Sequence, residues 1–329
     1  MPANLTPQYV ELEREYRAAK DPEQRLALLQ RMLAEIPKHK GTEHMQGEIK
    51  HKISKLKKEL QQKKGASRKA YLDHVPKEGI AQYALVGPPN TGKSSLLAAL
   101  TNARPEIADF PFTTRKPFPG MTTYECIQLQ LVDLPPICSQ YCEGWVPNVV
   151  RTADVAIVVL SLAADDLLDG FENTAERLRQ AKVLLDNSPP ESDQPVGIMN
   201  KKSIFVANQI DRPGAGGRLE VMIDVFRDRF PIVPISAKEK TNLDLLKQAM
   251  FQILGKVRVY TKAPGHEPDF SDPIVLPVDA TVMEAARVIH KDFAHNLQFA
   301  RIWGKHTFDG QRVKGDFVIS DGDILEFHV

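Results

Sequence analysis

A glycine-rich segment at residues 87–94 has the residue types and the spacing that phosphate binding needs. It reads GPPNTGKS, a full match to the pattern G-x-x-x-x-G-K-[ST]. An apolar run typical of a strand, Ala81–Val86, precedes it, and a run typical of a helix, Ser95–Leu100, follows it. Because strand, loop and helix occur in the order that a P-loop requires, we interpret the segment as a cradle for a nucleoside triphosphate.

The residue types in this P-loop have separate physical tasks. The glycines let the backbone turn its N–H groups toward the phosphates, and the helix that follows presents its positive end to the same charge. Lys93 is expected to reach the β- and γ-phosphates and to assist catalysis, and the Ser94 hydroxyl is expected to bind Mg²⁺. The predicted nucleotide-binding residues of the loop are Gly87, Pro88, Pro89, Asn90, Thr91, Gly92, Lys93, Ser94 and Ser95.

Two later segments specify the base. The first guanine loop, residues 208–211 (NQID), follows the strand-like run Ser203–Ala207, and the second guanine loop, residues 236–238 (SAK), follows the buried run Ile232–Ile235. Together they resemble the guanine-reading pair of the GTPase superfamily. The Asp211 carboxylate can accept hydrogen bonds from the N1–H and the 2-amino group of guanine, and adenine offers neither donor. The predicted guanine-binding residues are Asn208, Gln209, Asp211, Ser236, Ala237 and Lys238, so GTP and GDP are the expected ligands.

Gln209 departs from the usual NKxD pattern, in which a lysine lies along the base and braces the P-loop. A glutamine keeps a polar contact but loses the charge and most of the long stem. We therefore expect weaker binding with the guanine preference kept. Another segment, residues 200–203 (NKKS), is similar to NKxD but lacks the aspartate and precedes a strand, so we interpret it as a solvated loop.

The segment Asp133–Pro136 (DLPP), which ends the alternating run Thr123–Val132, stands in the place of the DxxG motif of GTPases. Asp133 is placed to hold Mg²⁺ through a water. Pro136 has no N–H to offer the γ-phosphate, so a charge-assisted hydrogen bond worth roughly 1.5–3 kcal/mol cannot form. Ile137 follows where Ras-like enzymes carry a water-orienting glutamine, so intrinsic hydrolysis is expected to be slow.

Two further sites bear on hydrolysis. In several GTPases with a hydrophobic residue in place of that glutamine, an asparagine at the position of Asn90 helps to bind K⁺, which would neutralise charge in the transition state. The alternative is that Asn90 is only a good turn residue. Residues 109–114 (DFPFTT) suit a mobile switch loop in which one threonine completes the Mg²⁺ shell. We favour Thr114, but the pattern does not separate it from Thr113.

These motifs together resemble the Obg superfamily of GTPases and, within it, the developmentally regulated GTP-binding proteins. The resemblance covers nearly the whole chain and includes IADFPFTT…PFPGM, DLPPI and a basic helical lead-in at residues 37–60. The tail, Phe270–Val329, is similar to a TGS domain in its segments PIVLP, ARIWGK and DGDILEF. Two features depart from the family: Pro136 replaces a glycine, and only a short polar stretch at residues 187–202 stands where relatives carry an insertion.

Composition and length are those of an ordinary globular protein. The 329 residues are 42% hydrophobic and 26% charged, with a net charge of +1, and this length predicts about two or three domains. No run is long and apolar enough for a membrane span, and the first residues lack the apolar core of a signal peptide. The three cysteines favour free thiols in a reducing compartment, so the expected location is the cytoplasm.

Three domains are predicted. A helical, basic region covers residues 1–75, a P-loop GTPase domain of the α/β class with a mainly parallel sheet covers 76–262, and a small β-grasp (TGS) domain covers 263–329. The boundary at 263 rests on a linker rich in proline and glycine, residues 263–269 (APGHEPD). In the basic region, Thr6–Pro7 and Asp21–Pro22 are predicted helix starts.

Positive charge is concentrated near the start of the chain. Eleven Lys or Arg lie between Lys38 and Lys69, against three Glu, mostly on a helix predicted over residues 42–64 with Thr42 as its N-cap. An apolar stripe at helical spacing indicates that this helix packs on something; its members are Ile49, Ile53, Leu56 and Leu60. The lysines form either a solvated face or a surface for RNA phosphates, and the likeness to ribosome-associated GTPases leaves these alternatives balanced.

The sequence therefore predicts a magnesium-dependent GTP switch with slow, K⁺-assisted hydrolysis and a link to RNA or the ribosome. Two alternatives remain open. One is a scaffold that holds GTP without useful hydrolysis, and the other is an RNA-binding protein in which the P-loop domain is a relic. Oligomeric state and physiological partner are not specified by any motif.

Replacing Asp211 with Asn tests the assignment of the base reader. Because the donor and acceptor pattern of the side chain inverts, we expect Asp211→Asn to shift the preference from guanine toward xanthine nucleotides. Competition of GDP and XDP against a fluorescent nucleotide measures this shift. An unchanged guanine preference in the variant would contradict the assignment.

Overall fold

The computed structural model of the protein describes residues 7–19, 21–36, 42, 45–57, 74–104, 116–188 and 197–329. The chain forms two compact units, Met1–Leu72 and Asp73–Val329. None of the described helices is long and apolar enough to cross a membrane.

Among its described residues, the first unit has three α-helices around a small apolar core. Helix α1 spans Pro7–Ala18, α2 spans Pro22–Glu35 and α3 spans residues 45–57. The first two begin at the predicted prolines, and Asp21 caps α2 by accepting the Gln24 backbone N–H at 2.9 Å. The core contains Tyr9, Leu12, Leu28, Leu29, Met32, Ile36 and Ile49.

The predicted apolar stripe of α3 faces this core. Ile49 is buried, and Ile53 and Leu56 pack against the cluster while partly exposed. Leu60 and the predicted end of the helix lie outside the described residues. The lysines of α3 are all exposed; they are Lys50, Lys52, Lys55 and Lys57. Burial of one stripe thus orients a row of positive charges to solvent.

The second unit begins with a six-stranded α/β sheet. Its strands are β1 (Ala81–Val86), β2 (Phe118–Tyr124), β3 (Ile127–Asp133), β4 (Val155–Ser161), β7 (Ser203–Asn208) and β8 (Ile232–Pro234), in the order β2-β3-β1-β4-β7-β8. All neighbours are parallel except β2 and β3. The mainly parallel P-loop fold predicted from the sequence is confirmed, and every residue of β1, β4 and β7 is buried, as sheets covered on both faces require.

The helices of this domain lie between the strands in sequence. They are α4 (Lys93–Leu100), α5 (Val146–Thr152), α6 (Leu167–Gln180), α7 (Ala215–Phe226) and α8 (Leu243–Ile253). The aromatic rings of Phe171 on α6 and Phe226 on α7 pack on Phe205 of β7, with centroids 5.0 and 4.9 Å away. This packing fixes the strand that carries the first guanine loop.

One continuous alternating run contains a turn, and one prediction about an individual segment was wrong. The alternating run Thr123–Val132 is a hairpin, because Glu125 and Cys126 adopt positive φ values of 41° and 67° and reverse the chain between β2 and β3. Residues 200–203 are not a solvated loop. Met199–Lys201 forms strand β6, which pairs with β5 (Val183–Leu185), and the buried Lys201 donates to the carbonyls of Arg151 and Ala153.

A second sheet of five strands follows. It contains β9 (Lys256–Thr261), β10 (Asp269–Pro277), β11 (Phe299–Trp303), β12 (Gln311–Val313) and β13 (Asp323–His328), in the order β10-β9-β13-β11-β12. Helices α9 (Val282–Ile289) and α10 (Lys291–Asn296) connect β10 to β11. The domain boundary predicted at 263 assumed that residues 263–269 link two domains. Because β9 pairs with β10 in this sheet, residues 263–268 instead connect two strands of the same sheet.

Arg258 of β9 joins the two sheets. Its side chain, 10% exposed, donates to Asp321 through Nη2 at 2.6 Å and through Nε at 3.0 Å. It also forms an ion pair with Glu125 in the β2–β3 turn, and its guanidinium lies 4.8 Å from the ring centre of Phe251 on α8. The planar guanidinium group of Arg258 thus contacts both the second sheet and the β2–β3 hairpin of the first sheet.

Removing the Arg258 guanidinium group should destabilise the second unit. We expect Arg258→Ala to lower the free energy of unfolding by about 1.5–3 kcal/mol, because the charge-assisted hydrogen bonds to Asp321 and the ion pair with Glu125 are lost. Urea denaturation of the full chain measures the change. Arg287→Ala, at an exposed position on α9, is the matched control and should stay within about 0.5 kcal/mol of the parent. Equal losses in the two variants would contradict the proposed role of Arg258.

Candidate nucleotide-binding site

The parallel strands bring the predicted motifs to one edge of the first sheet. The P-loop follows β1, Asp133 ends β3, the first guanine loop begins at the last residue of β7, and the second guanine loop follows β8. Since carboxyl ends of neighbouring parallel strands meet at the same edge, segments more than a hundred residues apart become neighbours. This edge is where open α/β sheets bind ligands.

The P-loop backbone depends on two glycines. Gly87 has φ 142°, and a Cβ there would lie 2.4 Å from the carbonyl oxygen of Val159. Gly92 has φ 86°, and a Cβ there would lie 2.3 Å from Nδ2 of Asn208. Any side chain at either position would collide with the neighbouring strand or loop, so the turn requires glycine in both places.

Lys93, the first residue of α4, lies inside the loop. Its Nζ donates to the carbonyl oxygens of Gly87 at 3.0 Å and Pro88 at 2.6 Å, and the side chain is buried. Burial disfavours the charged form and lowers the pKa of Lys93 to about 8, while the nearby Asp133 acts in the opposite direction. A poorly solvated cation in this loop is suited to bind phosphate.

Ser94 and Asp133 form the candidate metal end of the site. The Ser94 hydroxyl donates to Oδ2 of Asp133 at 2.5 Å, and Asp133 is fully buried. Two hard oxygen ligands side by side fit Mg²⁺, which prefers carboxylate and hydroxyl oxygens and keeps several waters. Thr113 and Thr114 lie outside the described residues, so a threonine ligand stays a prediction.

Asn208 connects the P-loop to both guanine loops. Its Nδ2 donates to the Thr91 carbonyl at 2.9 Å, and its Oδ1 accepts the backbone N–H of Gln209 at 2.8 Å and of Ala237 at 3.1 Å. The side chain is 2% exposed, so these bonds form without competition from water. A single amide therefore fixes the distance between the phosphate end and the base end.

Asp211 and Ser236 meet at the base end. A hydrogen bond with the Ser236 side chain lowers the pKa of Asp211, so the carboxylate stays ionised and acts as an acceptor. Lys238 is largely exposed and pairs with Glu239 at 3.4 Å. The structure thus brings Asn208, Asp211, Ser236 and Ala237 together, with Lys238 at the margin.

The segment after Asp133 explains how the chain accommodates Pro136. The next N–H, of Ile137, donates to the Gly87 carbonyl at 3.1 Å, and the Ile137 side chain is fully buried. The Ile137 carbonyl accepts the Thr174 hydroxyl at 3.2 Å. Neither the amide nor the side chain of Ile137 is therefore directed at a γ-phosphate.

The sequence alone did not indicate two residues that shape this edge. Ser161, the last residue of β4, donates its hydroxyl to Oε1 of Gln209 at 2.6 Å. Gly170 of α6 lets that helix approach the P-loop, since a Cβ there would lie 2.8 Å from Cγ of Pro88. The position of Ser161 at the end of a strand that neighbours β7 is the signal that could have identified it.

The fold and the site are those of a P-loop nucleotide-binding protein. Residues 82–202 match the family described as 50S ribosome-binding GTPase, and residues 257–329 match the TGS domain. The chain is a GTP-binding protein that contains a domain matching that GTPase family, followed by a TGS domain. This confirms the assignment of the two domains that the sequence motifs predicted.

Relatives are similar to this chain over most of their length. A GTP-binding protein of Methanocaldococcus jannaschii is 29% identical over 365 aligned positions, covering 92% of each chain. Developmentally-regulated GTP-binding protein 2 of Homo sapiens is 28% identical over 92% of this chain and 98% of its own. Among solved structures, a variant of Era from Aquifex aeolicus bound to GDP and AlF4⁻ is 21% identical, with a TM-score of 0.41 over 68% of this chain and 72% of its own.

The lowered pKa of Lys93 predicts how nucleotide binding depends on pH. Below pH 8 the lysine is charged before GDP binds, and above pH 8 the free protein must take up a proton during binding. We therefore expect the Kd for GDP to be flat below pH 8 and to rise about tenfold per pH unit above it.

Lys93→Arg is the matched control, since arginine remains charged throughout this range. Ionisation of the guanine base affects both proteins equally, so the difference between their two profiles reports Lys93. Fluorescence titration between pH 6.5 and pH 9.5 gives both profiles. Parallel profiles for the two proteins would contradict the lowered pKa.

Proposed function

We propose that the protein is a magnesium-dependent GTP switch that hydrolyses GTP slowly. The observation that carries this proposal is the Asn208 amide, which holds the P-loop and both guanine loops in one rigid arrangement. A site built this way has its phosphate and base subsites spaced before the ligand arrives, which reduces the entropy cost of binding.

Each part of the arrangement has a defined role. Lys93 would neutralise the β- and γ-phosphates, and Asp211 would accept the N1–H and 2-amino hydrogens of guanine. Ser94 and Thr114 would ligate Mg²⁺ directly, with Asp133 acting through a water. The metal ion, when bound, would neutralise charge between the two terminal phosphates.

Slow hydrolysis follows from the γ-phosphate end. Pro136 offers no N–H, and the Ile137 amide is engaged with the Gly87 carbonyl. The GTP-bound and GDP-bound states therefore differ by fewer protein contacts than a DxxG motif would provide. No side chain at position 137 can orient the attacking water.

Asn90 supports a role for potassium in the reaction. It holds a left-handed φ of 58° at the fourth position of the P-loop, beside the phosphate end of the site. We propose that its side-chain oxygen helps to bind a K⁺ ion that offsets the missing donors. The alternative, that Asn90 only stabilises the turn, predicts no dependence on the monovalent cation.

Single-turnover hydrolysis of GTP with Mg²⁺ tests both parts of this proposal. At equal ionic strength we expect cleavage to be about tenfold or more faster in KCl than in NaCl, because a positioned cation stabilises charge in the transition state. Asn90→Ala should lose the difference, and Asn102→Ala, an exposed position, should keep it. Bound GTP that survives in both salts would contradict hydrolysis and favour the nucleotide-holding scaffold.

RNA or the ribosome is the proposed partner. The proposed location is the cytoplasm, because the free thiols of Cys126, Cys138 and Cys142 suit a reducing environment. The exposed lysine row of α3 supports this partner. In the TGS domain, Arg301 of β11 and Arg312 of β12 are exposed and directly opposite each other. One carboxylate, Glu326 opposite Arg301 on β13, faces these two guanidinium groups, so an anionic ligand would offset the remaining positive charge.

The salt dependence of RNA binding tests the role of α3. If Lys52 and Lys55 contact phosphates, the variant with both changed to Glu should bind a single-stranded ribosomal RNA fragment more weakly. A plot of log affinity against log salt concentration has a negative slope, and its magnitude should fall by about 1.4, since each lost contact with a single-strand phosphate removes about 0.7. A variant with Arg14 and Arg17 of α1 both changed to Glu has the same charge and is the control. Equal weakening in both variants would show a non-specific charge effect and contradict the assignment.

A further inference from the structure

Gln209 occupies the position of the lysine in the NKxD pattern, and its side chain is held in place. The residue has φ 67°, in the left-handed region that favours glycine. Its Oε1 accepts the Ser161 hydroxyl at 2.6 Å. A non-glycine residue is kept in this conformation only where surrounding contacts determine it, and Ser161 supplies such a contact.

Ser161 is itself rigid. It is 6% exposed, pairs with Asn208 in the β4–β7 register, and accepts the Ala163 backbone N–H through Oγ at 3.1 Å. A serine hydroxyl has one hydrogen to donate, and that hydrogen goes to Gln209. The direction of the Gln209 side chain is therefore set by the end of strand β4.

The same stretch of chain contacts the first guanine loop at a second point, where the Leu162 backbone N–H donates to the Asn208 carbonyl at 2.9 Å. Arg218 of α7 donates through Nη1 to Asp165 at 2.9 Å and through Nη2 to the Pro213 carbonyl at 2.9 Å, and its Nε donates to the Leu162 carbonyl. Residues 161–165, which carry no recognised motif, thus support both sides of the loop that contains Asp211. The loop has little freedom to move relative to β4.

The fixed oxygen of Gln209 determines where its nitrogen can act. Because the carboxamide is planar, Nε2 lies on the side away from the Ser161 hydroxyl. In the part of the chain that the structure describes, this nitrogen has no hydrogen-bond partner. Gln209 lines a cavity of about 440 Å³ with Asn90 and Thr91 of the P-loop, and it follows Asn208 directly in the chain. Gln209 is therefore next to the P-loop in space and lies between Asn208 and Asp211 in the chain.

We propose that Ser161 is a positioning residue for nucleotide binding, which orients Gln209 so that Nε2 donates a neutral hydrogen bond to an acceptor of the bound guanosine. This pair replaces the lysine of the NKxD pattern. The inference rests on the proposed binding of guanine nucleotides and goes beyond it by assigning the nucleoside contact. Because the donor is uncharged and remote from the phosphates, its contribution does not depend on their number.

Nucleotide affinities of Ser161→Ala test the assignment. Loss of one neutral hydrogen bond should raise the Kd about 3- to 10-fold, by the same factor for GTP, GDP and GMP. Gln209→Met, which removes the amide at similar size, should give a similar loss. The double variant should be no weaker than either single variant, because the two residues act as one unit.

Controls separate this role from a structural one. Ser161→Thr keeps the hydroxyl and should retain affinity, and in a Gln209→Lys background Ser161→Ala should change the Kd less than about twofold. Losses that add in the double variant, or that grow with the number of phosphates, would overturn the proposal. So would full affinity in Ser161→Ala.

Different results would contradict the proposed function and the role of Ser161. If the parent protein binds no guanine nucleotide, the function itself fails. If the parent binds GDP and Asp211→Asn changes its base preference while Ser161→Ala has no effect, only the present inference fails.

Discussion

One buried side-chain amide holds the nucleotide edge of this protein together. Asn208 bonds to the P-loop through its nitrogen and to both guanine loops through its oxygen. A buried polar group is stabilising when its partners are present and costly when one is missing. The three loops, which are far apart in sequence, are therefore constrained as a single unit, and the spacing between phosphate and base subsites follows from that constraint.

The parallel sheet is what lets one amide reach three loops. Its strands end at a common edge, and Gly92 leaves room for the Asn208 side chain to approach the P-loop. The β3 strand brings Asp133 to the same edge, and its partner β2 leads back to the turn where Glu125 meets Arg258. The nucleotide edge and the TGS sheet are thus connected through one hairpin.

Departures from the usual GTPase motifs have different consequences at the two ends of the site. At the γ-phosphate end, Pro136 removes a donor, and Ile137 is turned into the core. At the base end, the missing lysine is replaced by Gln209, which Ser161 holds in a defined direction. The change at the γ-phosphate end is the basis of the slow switch that we propose, and the change at the base end is the basis of the role that we propose for Ser161.

The sequence by itself determined the P-loop and the guanine loops, because each is specified by neighbouring residues obeying local backbone rules. It indicated the GTPase and TGS domains through their resemblance to known families. Tertiary structure decided the rest. It placed the turn at Glu125–Cys126 inside a continuous alternating run, buried Lys201 against carbonyls about fifty residues away, and assigned Lys256–Thr261 to the second sheet. It also brought Ser161 to Gln209, 48 positions along the chain. Local patterns specify what an element is, whereas its partner depends on contacts between distant residues, which only the folded chain establishes.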